Sequence, residues 1–170
     1  MDSQQLRRIM KSERIGRLYF RGVFASNELK EQIVDKYPSA YIANTEPSHK
    51  SGEHWVAFYF DHSGKAEFYC SYGESPRSYD FDKWIQKNST SWIYHKDRLQ
   101  GDLSSVCGQY CLFFLLHRLR DISIKDVFTQ DNDMNDSLVN EFIRNRFNLD
   151  TNVIDEEFLL KQIAKALIVQ

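Results

Sequence analysis

His54-Trp55-Val56-Ala57-Phe58-Tyr59-Phe60, Asp61-His62-Ser63-Gly64 and Lys65-Ala66-Glu67-Phe68-Tyr69-Cys70 follow one another and decide the fold class of this chain. Trp55 to Phe60 is apolar on both faces, the pattern of a strand inside a sheet rather than at its edge. Asp-His-Ser-Gly supplies turn chemistry, and Lys65 to Cys70 returns as the second strand of a hairpin. Working outward, Ala40 to Asn44 and Trp92 to His95 are further short strands. Gln4 to Lys11 is a helix with Leu6, Ile9 and Met10 on one side. Ser26 is placed to cap a helix from Asn27 to about Tyr37, ended by Pro38. Tyr79 to Asn88 is helical around Phe81, Trp84 and Ile85. Ser104 or Ser105 is the expected N-cap of a buried helix running to about Leu119. Leu138, Phe142, Ile143 and Phe147 then form a helical stripe, and Glu156 to Ile168 a last amphipathic helix. Strands in the middle and helices at both ends give an α+β architecture, with residues 1–170 as one domain.

Hydrophobic residues make up 42% of the chain, aromatics 14% and charged residues 27%, a globular mix that excludes a disordered or low-complexity protein. A net charge of −2 creates no global field to recruit nucleic acid or an anionic membrane. Arg7, Arg8, Lys11, Arg14, Arg17 and Arg21 form the one basic cluster, and such clusters are most often solvated faces. Three cysteines are too few for a disulfide scaffold. The opening Met-Asp-Ser-Gln-Gln lacks the pattern of a secretory signal. The longest apolar run, Cys111 to Leu116, is far short of a membrane span. These features read as a protein of a reducing compartment, intracellular or packaged in a virion and not secreted.

Two stretches carry chemistry. Gln100-Gly101-Asp102-Leu103-Ser104-Ser105-Val106-Cys107-Gly108 leads into the apolar helix. A thiol near a helix N-terminus sits where backbone N–H groups and the helix dipole stabilise the thiolate, the nucleophilic form. Taken alone, Cys107 is more often a small buried apolar residue. Gly108 beside it shifts the balance, since a small residue lets a substrate backbone approach. Gly52-Glu53-His54-Trp55 offers His54 as a base able to take the thiol proton and return it to a leaving amine. The other four histidines lack its setting. Trp55 either covers the imidazole or packs into the core, the commoner use of a buried Trp. Gln100 lies seven residues before Cys107, so its N–H₂ and the Cys107 amide are placed to cradle an oxyanion.

Gly-Glu-His-Trp-Val-Ala-Phe, then Phe-Tyr-Cys-Ser-Tyr-Gly, then Gln100-x6-Cys107-Gly-Gln-Tyr-Cys resemble the adenain family of adenovirus maturation proteases. They are most similar to its relatives encoded by Maverick/Polinton elements and virophage-type viruses. The three blocks match in order and spacing, the opening polar helix fits too, and the likeness covers about the first three quarters of the chain. It implies a papain-like cysteine protease fold shared with proteases of ubiquitin-like proteins, a central mixed β-sheet flanked by helices. It implies His54 as base, Cys107 as nucleophile and Gln100 as oxyanion donor, with Trp55 and Gly108 lining the site. It also implies cleavage near small residues such as Gly in capsid or core precursor proteins during particle maturation, in the host cytoplasm or nucleus or in the virion. No cofactor or metal is implied, and the partner is a protein substrate met by a monomer rather than a membrane.

Two departures qualify that resemblance. The family sets an Asp or Glu where this chain has Cys70, and a neutral thiol is a poor substitute for a carboxylate that orients an imidazole. Glu67 is three residues away and points to the opposite face of an unbent strand; Glu74 would have to fold back. Reduced activity is therefore expected. The family's activating peptide forms a disulfide with the enzyme, yet no cysteine lies between Cys70 and Cys107. An activating peptide, or DNA meeting the basic cluster, therefore stays a secondary expectation.

Two alternatives stand beside the endopeptidase: a deconjugating isopeptidase for ubiquitin-like proteins, and an inactive pseudoprotease scaffold. Zinc on Cys107, Cys111 and His117 is disfavoured, since His117 lies about 120° around the helix from Cys111 and no CxxC pair is present.

Overall fold

The computed structural model describes residues 1–147; the helix expected over Glu156 to Ile168 lies outside them. The hairpin forms the centre of a five-stranded sheet. Its strands are β1 (Phe20–Phe24), β2 (Ser39–Asn44), β3 (Trp55–Phe60), β4 (Lys65–Tyr69) and β5 (Ser91–Tyr94), in that spatial order. The outer pairs β1–β2 and β4–β5 are parallel, while β2–β3 and β3–β4 are antiparallel, so the sheet is mixed. β3 sits in the middle and is buried along almost its whole length, as its two-faced apolarity demands.

Side chains alternate across the strands and divide the core in two. On one face Ala40, Ile42, Ala57, Tyr59 and Tyr69 pack against helices α1 (Ser3–Ser12), α5 (Cys107–Arg118) and α6 (Asn132–Phe147). On the other, Tyr41, Val56, Phe58, Phe60, Phe68 and Cys70 meet Leu29 of α3 (Ser26–Lys30) and Phe81, Trp84 and Ile85 around α4 (Asp82–Asn88). The α+β architecture read from the sequence is the one observed. Helix α1 is closed by a reciprocal cap: the Asp2 carboxylate accepts from the Gln5 amide, and the Gln5 side chain accepts from the Asp2 amide.

The differences from the sequence reading have local causes. A short helix α2 (Arg14–Tyr19) and the edge strand β1 follow α1 where no element was expected. Gly22 and an irregular register hide the strand pattern there. Helix α3 stops at Lys30 rather than near Tyr37. The backbone groups a longer helix would use are taken by α4: the Gln32 carbonyl accepts from the Trp84 indole and the Val34 amide donates to Asn88. The helix expected from Tyr79 is split, because Asp80 adopts a left-handed conformation between a 3-10 turn (Pro76–Tyr79) and α4. Neither Ser104 nor Ser105 caps α5; Val106 holds that place without a side-chain bond. Among the described residues, no helix is long and apolar enough to cross a membrane.

Candidate active site

The register of the central hairpin assembles one half of the site. Ala57 pairs with Tyr69 and Phe58 with Phe68. Continued outward, the ladder sets Val56 across from Cys70 and His54 across from Tyr72. His54, Cys70 and Tyr72 therefore share a face, and Glu67 points the other way. The distances agree. His54 Nε2 lies 3.3 Å from Cys70 Sγ, and the His54 ring is 4.8 Å from the Tyr72 ring and 6.1 Å from the Tyr79 ring. Glu67 is held on the far face by Arg118, with bonds of 3.1 and 2.7 Å, and by His95. Burial would raise its pKa, but these partners bring it down to about 2. Glu67 is thus excluded as the orienting acid.

His54 is buried, and burial pushes its pKa down to about 4. The ring is neutral at pH 7 and able to take a proton. Trp55 follows His54 on the strand and so faces the opposite way. It packs in the core beneath α5 and donates its indole N–H to the Met1 carbonyl at 3.0 Å. The imidazole is covered by Tyr72, and the Arg98 guanidinium lies over the Tyr72 ring at 5.3 Å.

Cys107 opens α5 and is half-buried. Burial pushes its thiol up, while N–H groups of Trp55, Gly108 and Cys107 itself face the sulfur and pull the other way. The missing cap leaves the first amides of α5 without a side-chain partner, which suits them to an anion. The Trp55 amide connects the two halves, since Trp55 is the neighbour of His54. Among the described residues no hydrogen bond joins His54 to Cys107. Such bonds commonly tighten only when substrate is bound. Gly108 is buried against α1: a Cβ there would lie 3.2 Å from Met1 Cβ and 3.3 Å from Leu6 Cδ2. Its lack of a side chain admits the start of α1 beside the thiol.

Gln100 is buried and tightly framed. Ser71 Oγ donates to its Oε1 at 2.6 Å, and its Nε2 donates to the Ser104 carbonyl at 2.8 Å. That leaves one N–H of the carboxamide unassigned. The backbone around it is fixed as well. The amides of Leu99 and Gln100 both donate to the Ser71 carbonyl, and the Gly101 amide donates to Asp136 of α6 at 3.1 Å. The Tyr110 hydroxyl lies 2.8 Å from both Asp136 Oδ1 and the Leu99 carbonyl.

Sequence reasoning singled out His54, Cys70, Gln100 and Cys107 but missed Ser71, Tyr72, Tyr79 and Asp136. Ser71 and Tyr72 lay in the Cys-Ser-Tyr-Gly block and had a signal, since Tyr72 shares the parity of Cys70. Tyr79 and Asp136 had none. In the basic cluster, Arg7 donates to the Val23 carbonyl and Arg17 to the carbonyls of Lys11 and Ser12, so these two hold the N-terminal helices.

No protein-family model matches the sequence, and no curated protein does. Solved structures of the ASFV pS273R protease are similar in fold. One aligns with a TM-score of 0.58 at 18% identity, covering 80% of this chain and 64% of that one. Another aligns with a TM-score of 0.44 at 24% identity, covering 57% of this chain and 41% of that one. The chain spans less than two thirds of the protein it matches. The shared feature is the fold, a mixed sheet flanked by helices.

Proposed function

We propose that this protein is a viral cysteine endopeptidase in which Cys107 attacks a peptide carbonyl, His54 is the general base and Gln100 steadies the oxyanion. The observation that carries this reading is the junction at Trp55, whose amide faces the Cys107 sulfur while its preceding residue is the neutral imidazole of His54. With Nε2 turned to Cys70, Nδ1 is the nitrogen left to take the thiol proton. The thiolate adds to the carbonyl carbon, and the proton passes from Nδ1 to the leaving amine. The unassigned N–H of Gln100 and the amide of Cys107 then receive the oxyanion. A depressed imidazole and a raised thiol make the resting pair neutral, so the nucleophile forms as substrate is attacked. The resemblance to adenain and its Polinton and virophage relatives supports capsid or core precursors cut near Gly as substrates.

Co-expression with a candidate capsid precursor tests this, with products read by mass for wild type and Cys107→Ala. New termini next to small residues that vanish in Cys107→Ala are expected. Cleavage that persists in that variant overturns the assignment. Release of a fluorophore from the C-terminus of a ubiquitin-like protein, without precursor cleavage, identifies a deconjugating enzyme instead.

Cys70 at the acid position favours a second reading, a binding scaffold that has lost turnover. A thiol-directed alkylating probe separates the two. Labelling of Cys107 much faster than Cys111, with the preference lost in His54→Ala, supports the enzyme; equal slow labelling supports the scaffold.

A further inference from the structure

We propose that the orienting acid has moved outward to Glu74 and reaches His54 through Tyr79 and Cys70, the three together fixing the imidazole tautomer. The inference rests on reading His54 as the base. The contacts form a line. His54 Nε2 is 3.3 Å from Cys70 Sγ, and Cys70 Sγ is 3.7 Å from the Tyr79 hydroxyl; burial first, then Cys70 and the neighbouring Glu74 carboxylate, push that hydroxyl's pKa up. The turn is folded to bring Glu74 back: the Gly73 amide donates to the Cys70 carbonyl, and Gly73 takes a positive φ of 70°. A Cβ at Gly73 would lie only 2.4 Å from the Lys96 carbonyl oxygen.

The direction of each hydrogen follows from what the groups are able to do. The amides of Tyr72 and Glu74 face the Cys70 sulfur, and amides only donate, so the sulfur is an acceptor on that side. The S–H hydrogen then has two acceptors within reach, His54 Nε2 and the Tyr79 oxygen. If it goes to Nε2, the imidazole must carry its own proton on Nδ1, and Nδ1 is then unable to take the proton of Cys107. If it goes to Tyr79, Nε2–H donates to sulfur and Nδ1 is free. Glu74 decides between them. A carboxylate oxygen accepts, so in the proposed chain Glu74 takes the Tyr79 hydroxyl hydrogen and leaves the phenol oxygen to accept S–H. The chain runs Nε2–H to sulfur, S–H to phenol, O–H to carboxylate. No proton moves along it when Cys107 is deprotonated; the imidazolium keeps Nε2–H on sulfur. Tyr79 and Cys70 are positioning residues here, and a wrong tautomer is costly in triad enzymes, by about 10⁴ in kcat when the orienting Asp becomes Asn.

The test needs no substrate at first. In protein labelled with ¹⁵N at histidine, His54 of the wild type is expected in the Nε2–H form, and Tyr79→Phe, which keeps the ring and its packing, is expected to shift it toward Nδ1–H. With peptide substrate, Tyr79→Phe lowers kcat by roughly 10- to 100-fold with KM retained. In a Cys70→Asp background the same change has no effect, since a carboxylate fixes the tautomer unaided. An Nδ1–H form in the wild type overturns the relay, as does an equal loss from Tyr79→Phe in both backgrounds. A tautomer shift in a protein that cleaves nothing supports the relay and removes the protease reading.

Discussion

The two sides of the site are held in different ways. Gln100 stands in a frame of neutral and backbone bonds: Ser71 on its oxygen, Ser104 on its nitrogen, and the Ser71 carbonyl and Asp136 carboxylate on the adjacent amides. His54 is held by one sulfur contact and two aromatic rings. The frame around Gln100 has many members, so no single one sets its position. The imidazole depends on a soft, long contact whose hydrogen has a choice of partners. The difference teaches where the chemistry is adjustable. An oxyanion donor must be rigid before charge develops, because its advantage lies in needing no reorganisation. A base must change protonation state within each turnover, so a weaker hold is tolerated there.

Removing the framed group gives the largest effect. Gln100→Ala is expected to lower kcat by about 10²- to 10³-fold, the usual cost of one oxyanion donor. It also leaves the buried Ser71 hydroxyl and the Ser104 carbonyl without partners, a loss of roughly 1–3 kcal/mol in stability. Peptide cleavage and denaturant unfolding on the same preparation separate the two effects. A stability loss with unchanged kcat would show that the frame serves the fold alone.

The pH dependence of folding comes next, and it reports on the other side. The His54 pKa is pushed by burial from its ordinary value near 6.5 to about 4 in the folded protein. Between those limits the unfolded chain binds the extra proton and the native state does not. Stability is therefore intact above pH 6.5 and falls as pH drops toward 4, by about 3 kcal/mol. Denaturant midpoints measured across that window should show the fall in wild type and not in His54→Gln. Glu67, lowered to about 2 by His95 and Arg118 against the effect of burial, governs a separate loss below pH 4.5. An unaltered slope between pH 6.5 and 4 in His54→Gln would mean that the imidazole is not the group being buried neutral.

The sequence was most readable where one strand had to satisfy two cores. Trp55–Phe60 was expected and found with the same limits, because a six-residue run apolar on both faces and closed by an Asp-His-Ser-Gly turn is too short for a buried helix and suits a central strand. The alternation rule then excluded Glu67 before any contact was known. Readability failed where distant backbone captured local structure, as with α3, whose Gln32 and Val34 are bonded to Trp84 and Asn88. It failed again for the supports of the site. The partners of Gln100 and His54 in the chemical sense lie on a strand end and a loop with readable patterns. The groups that hold them in place, Tyr79 and Asp136, are joined by contacts whose sequence separation carries no period.

Ser71→Ala is the finest probe of the contrast, and the smallest expected effect. It deletes the 2.6 Å bond to Gln100 Oε1 but leaves the Ser71 carbonyl, and with it the backbone bonds to Leu99 and Gln100. If the frame is redundant, Nε2 stays on Ser104 and kcat falls by no more than about 10-fold, one hydrogen bond of about 1 kcal/mol. KM is expected to stay unchanged if Gln100 acts, as proposed, on the oxyanion and not on the ground-state carbonyl. Ser71→Thr restores the hydroxyl and should recover kcat. A loss as large as that of Gln100→Ala would overturn the contrast: one hydroxyl would then set the carboxamide, and the oxyanion side would be as singly held as the imidazole.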